Sequence, residues 1–382
     1  MPPAVALESP PHPLERIRVA LFGAGLVGQA AHAPTLWDDR ARFDFVAVAD
    51  PSSSVCDAIA TRYGVPNACA TLEDALALDL DAVVIAVPDP VHRDAVLTAL
   101  GAGVHVFCEK PLAVSVAECD EILAARGDRV VQCGYMKLYD PAVERMVEHL
   151  QRGPAELVYL SVEVNDPDQA PFVDHLGLVV GRDVPRQLID ETRRRGRDAV
   201  VNALGGEPDA AETRAFEAYL SSLVHDVSLA RHLLRSVGIA APLPIADASY
   251  FDGGRGVSLA WTLPGDGRAH LEHLNLPGVA DYRERITAYC RDRILELTFP
   301  SPYLRHHPTR LVERRSDGTA AGLETVDYRV SYEEAFRNEL RAFHAAITTG
   351  VPVRATVEAA RDDLAALLDA FRLATSRRQR IA

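Results

Sequence analysis

The sequence lacks the features that would place the protein in a membrane. No apolar run approaches the roughly 18 residues that a membrane span needs. The opening stretch "MPPAVALESPPHPLER" has neither a basic start nor an apolar core. We therefore interpret residues 1–15 as a disordered leader, not a signal peptide, and expect a cytoplasmic protein with no membrane partner.

Metal-ligating cysteine patterns and an excess of positive charge are also absent. The six cysteines show no CxxC and no Cys/His ligand spacing, which predicts reduced structural thiols and no metal site. The 40 basic and 54 acidic side chains give a net charge of −14, which argues against nucleic acid as a partner. A small neutral substrate stays compatible, and 382 residues are enough for two domains.

A glycine pattern follows the first apolar run of the chain. In "IRVALFGAGLVGQAAHAPTL" a strand-like stretch ends in the spacing GxGxxG and continues into a helical stretch. The first glycine allows the tight turn, the second lets the backbone approach a pyrophosphate, and the third lets helix pack on strand. The predicted dinucleotide-binding residues of this turn are Gly23, Gly25, Leu26, Val27 and Gly28.

The next apolar run, "FDFVAVAD", ends in Asp50, which lies 22 positions beyond Gly28. An acid at this place is expected to bind the adenosine ribose hydroxyls and to repel a 2′-phosphate. The following "PSSS" offers no arginine for that phosphate. NAD is therefore predicted in preference to NADP, the alternative being an Asp that merely starts the next turn.

Alternating strands and helices continue to about residue 140. "LDAVVIAVP" is a continuous apolar run, as expected of a parallel strand that is buried on both faces. "VHVFCEKP" and "RVVQCGYM" follow after helical stretches. This pattern predicts a Rossmann doubly wound domain over residues 16–140, with its ligand at the carboxyl ends of the strands. Lys110 lies at such an end.

Several motifs together resemble the glucose–fructose oxidoreductase / inositol dehydrogenase (Gfo/Idh/MocA) family. They are "GAGLVG", "VPDPVHRDAVLTALGAGVHVFCEKPL", "GYMKLYDPA" and the closing "FRNELRAFHAAITTGVPVRATVEAARDDLAALLDAF". The resemblance implies that the EKP lysine, Lys110, is catalytic. It also implies that Pro88, His92, Glu109 and Lys110 belong to the cofactor site, or that Glu109 holds the loop.

The second half of the chain changes pattern. Strand-like stretches follow one another without intervening helices, which predicts an α+β domain over residues 141–382 with a large, mostly antiparallel open sheet. We expect this domain to bind substrate and to join subunits as a homodimer or homotetramer. Residues 167–213 depart from the family pattern as a helical insertion. The Arg-rich part, residues 182–198, is interpreted as a solvated face, or else as a lid or a site for an anionic or bulky glycoside.

A second catalytic residue is implied in "LSSLVHDVSLARHLL". The family has a helix in which an Asp precedes a catalytic His by four positions, and His225 fits the His position. The Asp position is occupied by Ser221, so His225 lacks its usual orienting carboxylate. Asp226 cannot replace it simply, because adjacent helical residues point about 100° apart. Another partner holds the ring, or Lys110 takes more of the proton work, or catalysis has been lost.

The resemblance to inositol dehydrogenases also implies a set of substrate contacts. These are Tyr135, Met136, Lys137, Asn165, Asp166 and Ser221. The predicted function is an NAD-dependent dehydrogenase that acts on a ring hydroxyl of a sugar, glycoside or cyclitol. The alternatives are a related reductase of another carbonyl or imine, and a regulator of the same fold that binds dinucleotide without turnover.

Overall fold

The computed structural model describes residues 16–152, 156–240, 242–319 and 321–381, which form two β-sheets and their covering helices. The predicted leader, residues 1–15, lies outside the described residues. Among the helices of the described part, none is long and apolar enough to cross a membrane.

The first sheet contains six parallel strands in the order β3-β2-β1-β4-β5-β6. Its strands are β1 Ile17–Phe22, β2 Phe43–Ala49, β3 Asn67–Cys69, β4 Ala82–Ile85, β5 His105–Glu109 and β6 Val131–Gly134. The accompanying helices are α1 Ala33–Asp38, α2 Ser53–Tyr63, α3 Leu72–Leu76, α4 His92–Gly101 and α5 Val116–Ala125. All residues of β4 are buried, as a strand covered on both faces requires. The strand order reverses between β1 and β4, which opens a crevice at their carboxyl ends.

The second sheet contains eight strands in the order β14-β13-β12-β11-β7-β10-β9-β8. Its strands are β7 Leu157–Asn165, β8 Ile245–Phe251, β9 Gly256–Thr262, β10 Arg268–Leu274, β11 Arg283–Cys290, β12 Arg293–Phe299, β13 Arg310–Ser316 and β14 Leu323–Arg329. Every neighbouring pair is antiparallel except β7 and β10, which are parallel. The predicted fold class, a doubly wound domain with a second, mostly antiparallel sheet, is confirmed.

The remaining helices follow β6 along the chain. They are α6 Pro141–Leu150, α7 Ala170–Val173, α8 Arg186–Leu204, α9 Ala210–Ala218, α10 Val224–Ser236, α11 Ala335–Thr349 and α12 Val357–Ile381. Leu340 and Phe343 of α11 pack into the same apolar core as Val19 and Leu21 of β1. One face of α12 is also part of the core, since Leu364, Leu367, Leu368 and Phe371 are buried.

The segment predicted as a helical insertion contains α7, α8 and the start of α9. Arg186, Arg194 and Arg197 of α8 are exposed and pair with acids on their own segment, so this side of the helix is solvated. The opposite side faces the crevice of the first sheet. The insertion is therefore not only a solvated face.

Candidate active site

The glycine turn leaves one backbone position open for a ligand. Gly23 has φ +92°, and a Cβ atom there would lie 2.4 Å from the Ala86 carbonyl oxygen. A Cβ atom at Gly28 would lie 2.3 Å from the Gly23 carbonyl oxygen, whereas one at Gly25 would meet open space. The first and third glycines are thus required by packing, and the second exposes the backbone at the start of a helix. This arrangement fits the pyrophosphate of a dinucleotide.

Asp50 connects this turn to the start of α2. Its Oδ2 accepts a hydrogen bond of 2.9 Å from the Ala24 amide, and its Oδ1 accepts one of 2.9 Å from the Ser52 amide. The carboxylate therefore lies beside the glycine turn at the end of β2. Oxygen atoms at this place are positioned to receive the ribose hydroxyls of a bound dinucleotide.

The glycine turn and Asp50 line a cavity of about 730 Å³. Leu26 and Pro88 also line it, and Val27 lies half-buried next to Leu26. Its opposite wall comes from the insertion, with residues 178–181 and part of α8. The volume falls in the range of about 300–1,000 Å³ that is usual for cofactor and ligand sites.

Two buried side chains hold the turn that carries Lys110. The Glu109 Oε1 lies 2.7 Å from His32 Nε2, and its Oε2 accepts a hydrogen bond of 3.3 Å from the Lys110 amide. Burial alone would raise the pKa of Glu109, but His32 and Lys110 outweigh it and lower this pKa. His92 Nδ1 lies 2.6 Å from the Pro111 carbonyl oxygen, and its Nε2 lies 2.8 Å from that of Val87. Both side chains are thus engaged with the protein itself.

Lys110 reaches the helix that carries His225. The Lys110–Pro111 bond is cis, and Lys110 Nζ donates a hydrogen bond of 2.7 Å to the Ser221 carbonyl oxygen. Ser221 lies in a π-helical turn, Tyr219–Leu223, immediately before α10. Such turns are wider than an α-helix, so the i to i+4 spacing of Ser221 and His225 does not give the α-helical relation assumed from the sequence. The structure nonetheless brings Lys110 to the start of α10.

His225 is held in a neutral form by its surroundings. Burial lowers its pKa well below the ordinary 6.5, and the charges of Lys110 and Lys137 lower this pKa further. The ring stands edge-on to Tyr135, with the centroids 6.2 Å apart. Its Nδ1 is buried and has no hydrogen-bond partner among the residues that the structure describes. A neutral imidazole of this kind is able to accept a proton at pH 7.

The ammonium of Lys137, predicted to contact substrate, is already paired inside the protein. Its Nζ lies 3.0 Å from Asp226 Oδ1 and 2.7 Å from Glu284 Oε1, and all three side chains are buried. Tyr282 donates a hydrogen bond of 2.5 Å to the second oxygen of Glu284. Burial raises the pKa of Asp226 to about 7, with the Lys137 charge opposing and Glu284 reinforcing the shift. The Asp226 carboxyl therefore pairs with Lys137 in this buried cluster and does not orient the His225 ring.

Of the other predicted substrate residues, Tyr135, Met136 and Asn165 are buried or bonded within the protein, whereas Asp166 lies near Lys110. Tyr135 and Met136 are buried, and Asn165 donates a hydrogen bond of 2.6 Å to the Asp281 carbonyl oxygen. Asp166 lies close to Lys110. Burial raises the pKa of Asp166, while the Lys137 charge, a hydrogen bond with Ser222 and the Lys110 charge oppose this shift. Asp166 is thus the predicted substrate residue whose carboxylate the structure places near the charge of Lys110.

The sequence does not predict that Tyr303 and the cavity-lining residues of the insertion lie at the candidate site. Burial raises the pKa of the Tyr303 hydroxyl, and the charges of Glu109 and Asp166 add to this effect. Tyr303 therefore lies beside the predicted site, in a loop after β12 that has no periodic signal. The insertion offered a hint in the apolar "LGLVV" before its arginines.

Comparison with known proteins confirms the predicted resemblance. The profile of the Gfo/Idh/MocA group, an oxidoreductase family with an NAD-binding Rossmann fold, matches residues 17–135. Inositol 2-dehydrogenase 3 of Saccharopolyspora erythraea is 32% identical over 194 residues, which are 49% of this chain and 56% of that protein. Inositol 2-dehydrogenase of Acidothermus cellulolyticus is 38% identical over 144 residues, 36% of this chain and 41% of that protein. The matches thus span about half the length of these relatives.

Solved structures share the fold over nearly the whole chain. A UDP-N-acetylglucosamine 3-dehydrogenase from Acidithiobacillus ferrooxidans has a TM-score of 0.67 at 20% identity, covering 94% of this chain and 98% of its own. A myo-inositol 2-dehydrogenase from Lactobacillus plantarum has a TM-score of 0.68 at 17% identity, covering 95% and 98%. A 3-ketoreductase from Actinomadura kijaniata, solved with NADP and TDP-benzene, has a TM-score of 0.69 at 19% identity, covering 94% and 98%. At these identities the likeness is one of fold.

Proposed function

We propose that this chain, whose residues 17–135 carry the Rossmann fold of the Gfo/Idh/MocA oxidoreductases, is a dinucleotide-dependent dehydrogenase of a ring hydroxyl. The substrate class is a sugar, glycoside or cyclitol, as the names of the related inositol 2-dehydrogenases suggest. The observation that carries the proposal is the meeting of Lys110 with the helix start that bears His225. In this proposal residues 16–140 bind the cofactor and residues 141–382 bind the substrate.

Lys110 and His225 have different roles in the proposed proton transfer. When bound, the nicotinamide supplies hydride acceptance and donation at the substrate carbon. Lys110 donates a hydrogen bond, now made to the Ser221 carbonyl oxygen, to the substrate hydroxyl and orients it. His225, kept neutral by burial, accepts the hydroxyl proton, and in the reverse direction returns it.

One further feature supports selection of a polyol, and another supports the position of α10. Asp166 and Ser222, which share a hydrogen bond beside Lys110, are able to pair with neighbouring ring hydroxyls. The buried cluster of Lys137, Asp226 and Glu284 underlies the first turn of α10 and fixes the position of that helix. The cluster positions the catalytic helix and does not itself contact the reacting atoms.

The cofactor is proposed to be NAD in preference to NADP. Asp50 supplies a carboxylate at the end of β2, where a 2′-phosphate would be repelled. Titration of both dinucleotides by fluorescence tests this choice, and tighter binding of NAD⁺ is expected. Equal or tighter binding of NADP⁺ would mean that the Asp50 carboxylate does not face the ribose.

A screen of NAD⁺ reduction with inositols, monosaccharides and amino-sugar glycosides tests the dehydrogenase proposal. At least one substrate should be oxidised by the wild type and much more slowly by Lys110→Ala. A related reductase would instead oxidise NADH with another carbonyl or imine.

Within the described part of the chain, the lack of a hydrogen-bond partner for His225 Nδ1 favours a second candidate, a regulator that binds dinucleotide without turnover. Tight dinucleotide binding with no turnover of any substrate would favour it.

The second sheet offers a surface for self-association. One side of it packs against α6, α10 and α12. The other side presents Tyr159 and Tyr289, whose ring centroids lie 5.6 Å apart. We propose that this side joins copies of the chain as a homodimer or homotetramer. Light scattering after size exclusion should show an oligomer that Tyr289→Glu dissociates, and a monomeric wild type would contradict this.

A further inference from the structure

The part of the insertion that we call the cover segment, residues 177–204, is attached to the nucleotide-binding domain through Asp183. The Asp183 carboxylate accepts hydrogen bonds from the hydroxyls of Ser52, Ser53 and Ser54, at 2.5, 3.0 and 2.8 Å. It also accepts one of 3.0 Å from the Ser54 amide. The pKa of Asp183 is far below its usual range because of these donors, the Ser52 hydroxyl foremost. An exposed carboxylate is thus fully engaged at the start of α2.

A second attachment lies on the other side of the glycine turn. The Gln29 side chain donates a hydrogen bond of 2.9 Å to the Val179 carbonyl oxygen and accepts one of 2.8 Å from the Val179 amide. Gln29 is itself buried and donates to the Ala24 carbonyl oxygen at 2.7 Å. A Cβ atom at Gly181 would lie 2.7 Å from Ser52, so the segment approaches α2 as closely as a glycine allows.

Beyond the second attachment, the cover segment forms an apolar wall of the cavity. Val184, Leu188 and Ile189 line the same space as Gly25 and Asp50. A dinucleotide whose pyrophosphate lies at the glycine turn and whose ribose lies at Asp50 would therefore have its adenosine half beneath this wall. The cover segment is built to enclose that half.

Ser52 places two carboxylates side by side. Its amide donates to Asp50 Oδ1, and its hydroxyl donates to Asp183 Oδ1. The 2′-phosphate of NADP would lie at the end of β2, where the carboxylates of Asp50 and Asp183 would both repel it. The serine hydroxyls and the helix N-terminus, which would otherwise hold a phosphate, are already bonded to Asp183. The anion site at the start of α2 is filled by the protein's own carboxylate.

We propose that Asp183 is a determinant of dinucleotide selectivity, which excludes the 2′-phosphate of NADP by occupying its hydrogen-bond donors, and that the cover segment encloses the adenosine half of NAD. This inference rests on the proposed function. It assigns a role in cofactor choice to the insertion, in addition to that of Asp50.

Dissociation constants of NAD⁺ and NADP⁺, measured by calorimetry on the full chain, test the selectivity. Asp183→Ala should shift the ratio of the two constants toward NADP⁺ by about tenfold or more, because one hydrogen bond to a charged group changes affinity by that order. Asp183→Asn, which removes the charge but keeps an acceptor, should shift the ratio in the same direction by less. Asp198→Asn, an exposed change on the same segment at a residue paired with Arg194, is the control and should leave the ratio unchanged.

Hydrogen exchange on the same proteins tests the enclosure. NAD⁺ should slow exchange of the amides in residues 178–189 of the wild type, and Asp183→Ala should speed their exchange in the free protein. An unchanged ratio in Asp183→Ala, or no protection of this segment by NAD⁺, would overturn the inference while leaving the proposed function intact. A wild type that binds neither dinucleotide would overturn both.

Discussion

The buried cluster of Lys137, Asp226 and Glu284 at the start of α10 predicts an unusual response to a charge-removing substitution, Asp226→Asn. Asp226 and Glu284 are two carboxyls around one ammonium, and none of the three side chains is more than 8% exposed. In the variant, the side-chain amide oxygen would still accept from Lys137, and the amide nitrogen would donate to Glu284 as the protonated acid does. The substitution therefore removes a titration and keeps the hydrogen bonds.

The magnitude follows from the pKa of Asp226. The carboxyl ionises at its ordinary 3.8 in the unfolded chain and at about 7 in the folded protein. Below the first value both states hold the proton. Between the two values only the folded state holds it, so each pH unit lowers the free energy of unfolding by about 1.4 kcal/mol. Above the second value the full loss, about 4 kcal/mol, has accumulated.

Urea unfolding of the wild type and Asp226→Asn at two pH values provides the assay. The variant should be nearly as stable as the wild type in acid, and its advantage should grow by about 3 kcal/mol between pH 5 and pH 8. The exposed Asp198→Asn is the matched control, and its effect should stay within the range of about 0–1 kcal/mol typical of surface ion pairs.

An Asp226→Asn variant that is destabilised equally at both pH values would refute this reasoning. It would mean that Asp226 is ionised throughout and that Lys137 needs both negative charges. The cluster would then be a stabilising ion triad, not a pair of carboxyls that share a proton.

Two other predictions concern the catalytic pair. Lys110→Ala should leave the affinity for NADH within a few-fold but lower kcat on the order of 100-fold, as loss of a positioned proton-transfer group does; near-normal turnover would make Lys110 a structural residue. His225→Ala should lower kcat and abolish the acidic limb of the pH–rate profile. In the wild type that limb should lie well below pH 6.5, because burial and the Lys110 charge lower the pKa of His225. An unchanged limb in His225→Ala would count against His225.

The sequence predicted the features that depend on neighbours in the chain. Gly23, Gly25 and Gly28 predict a turn because their GxGxxG spacing lies within six consecutive residues that follow an apolar run. The fully buried β4 was recognisable as a continuous apolar run. Lys110 was recognisable as a candidate site residue because it directly follows β5, another buried apolar strand. These signals need no knowledge of distant contacts.

Strands at or next to the edges of the second sheet are harder to recognise from the sequence than its central strands. The strands β8, β13 and β14 were not anticipated, and β13 reads "RLVERRS" with three arginines. Arg310 and Arg315 of this strand pair with acids on β14, so the charges stabilise the strand pairing across the sheet. Such cross-strand pairs leave no periodic apolar pattern in either segment.

The parts of the site that the sequence did not predict depend on long-range contacts. Asp183 meets Ser52 across 131 positions, and Lys137 meets Asp226 across 89. Neither contact can be inferred from spacing in a single sequence. The buried pairing of Lys137 with Asp226 and Glu284 is one of these long-range contacts. For the same reason, the sequence alone does not decide whether the Arg-rich residues 182–198 form a solvated face or a lid.

A crystal structure of the protein with NAD⁺ tests the central claim most directly. We expect the pyrophosphate at Gly25, the adenosine ribose at Asp50, and the nicotinamide beside Pro88 with its C4 facing Lys110 and His225. A nicotinamide bound away from Lys110, or a dinucleotide bound outside the cavity beneath the cover segment, would contradict the account.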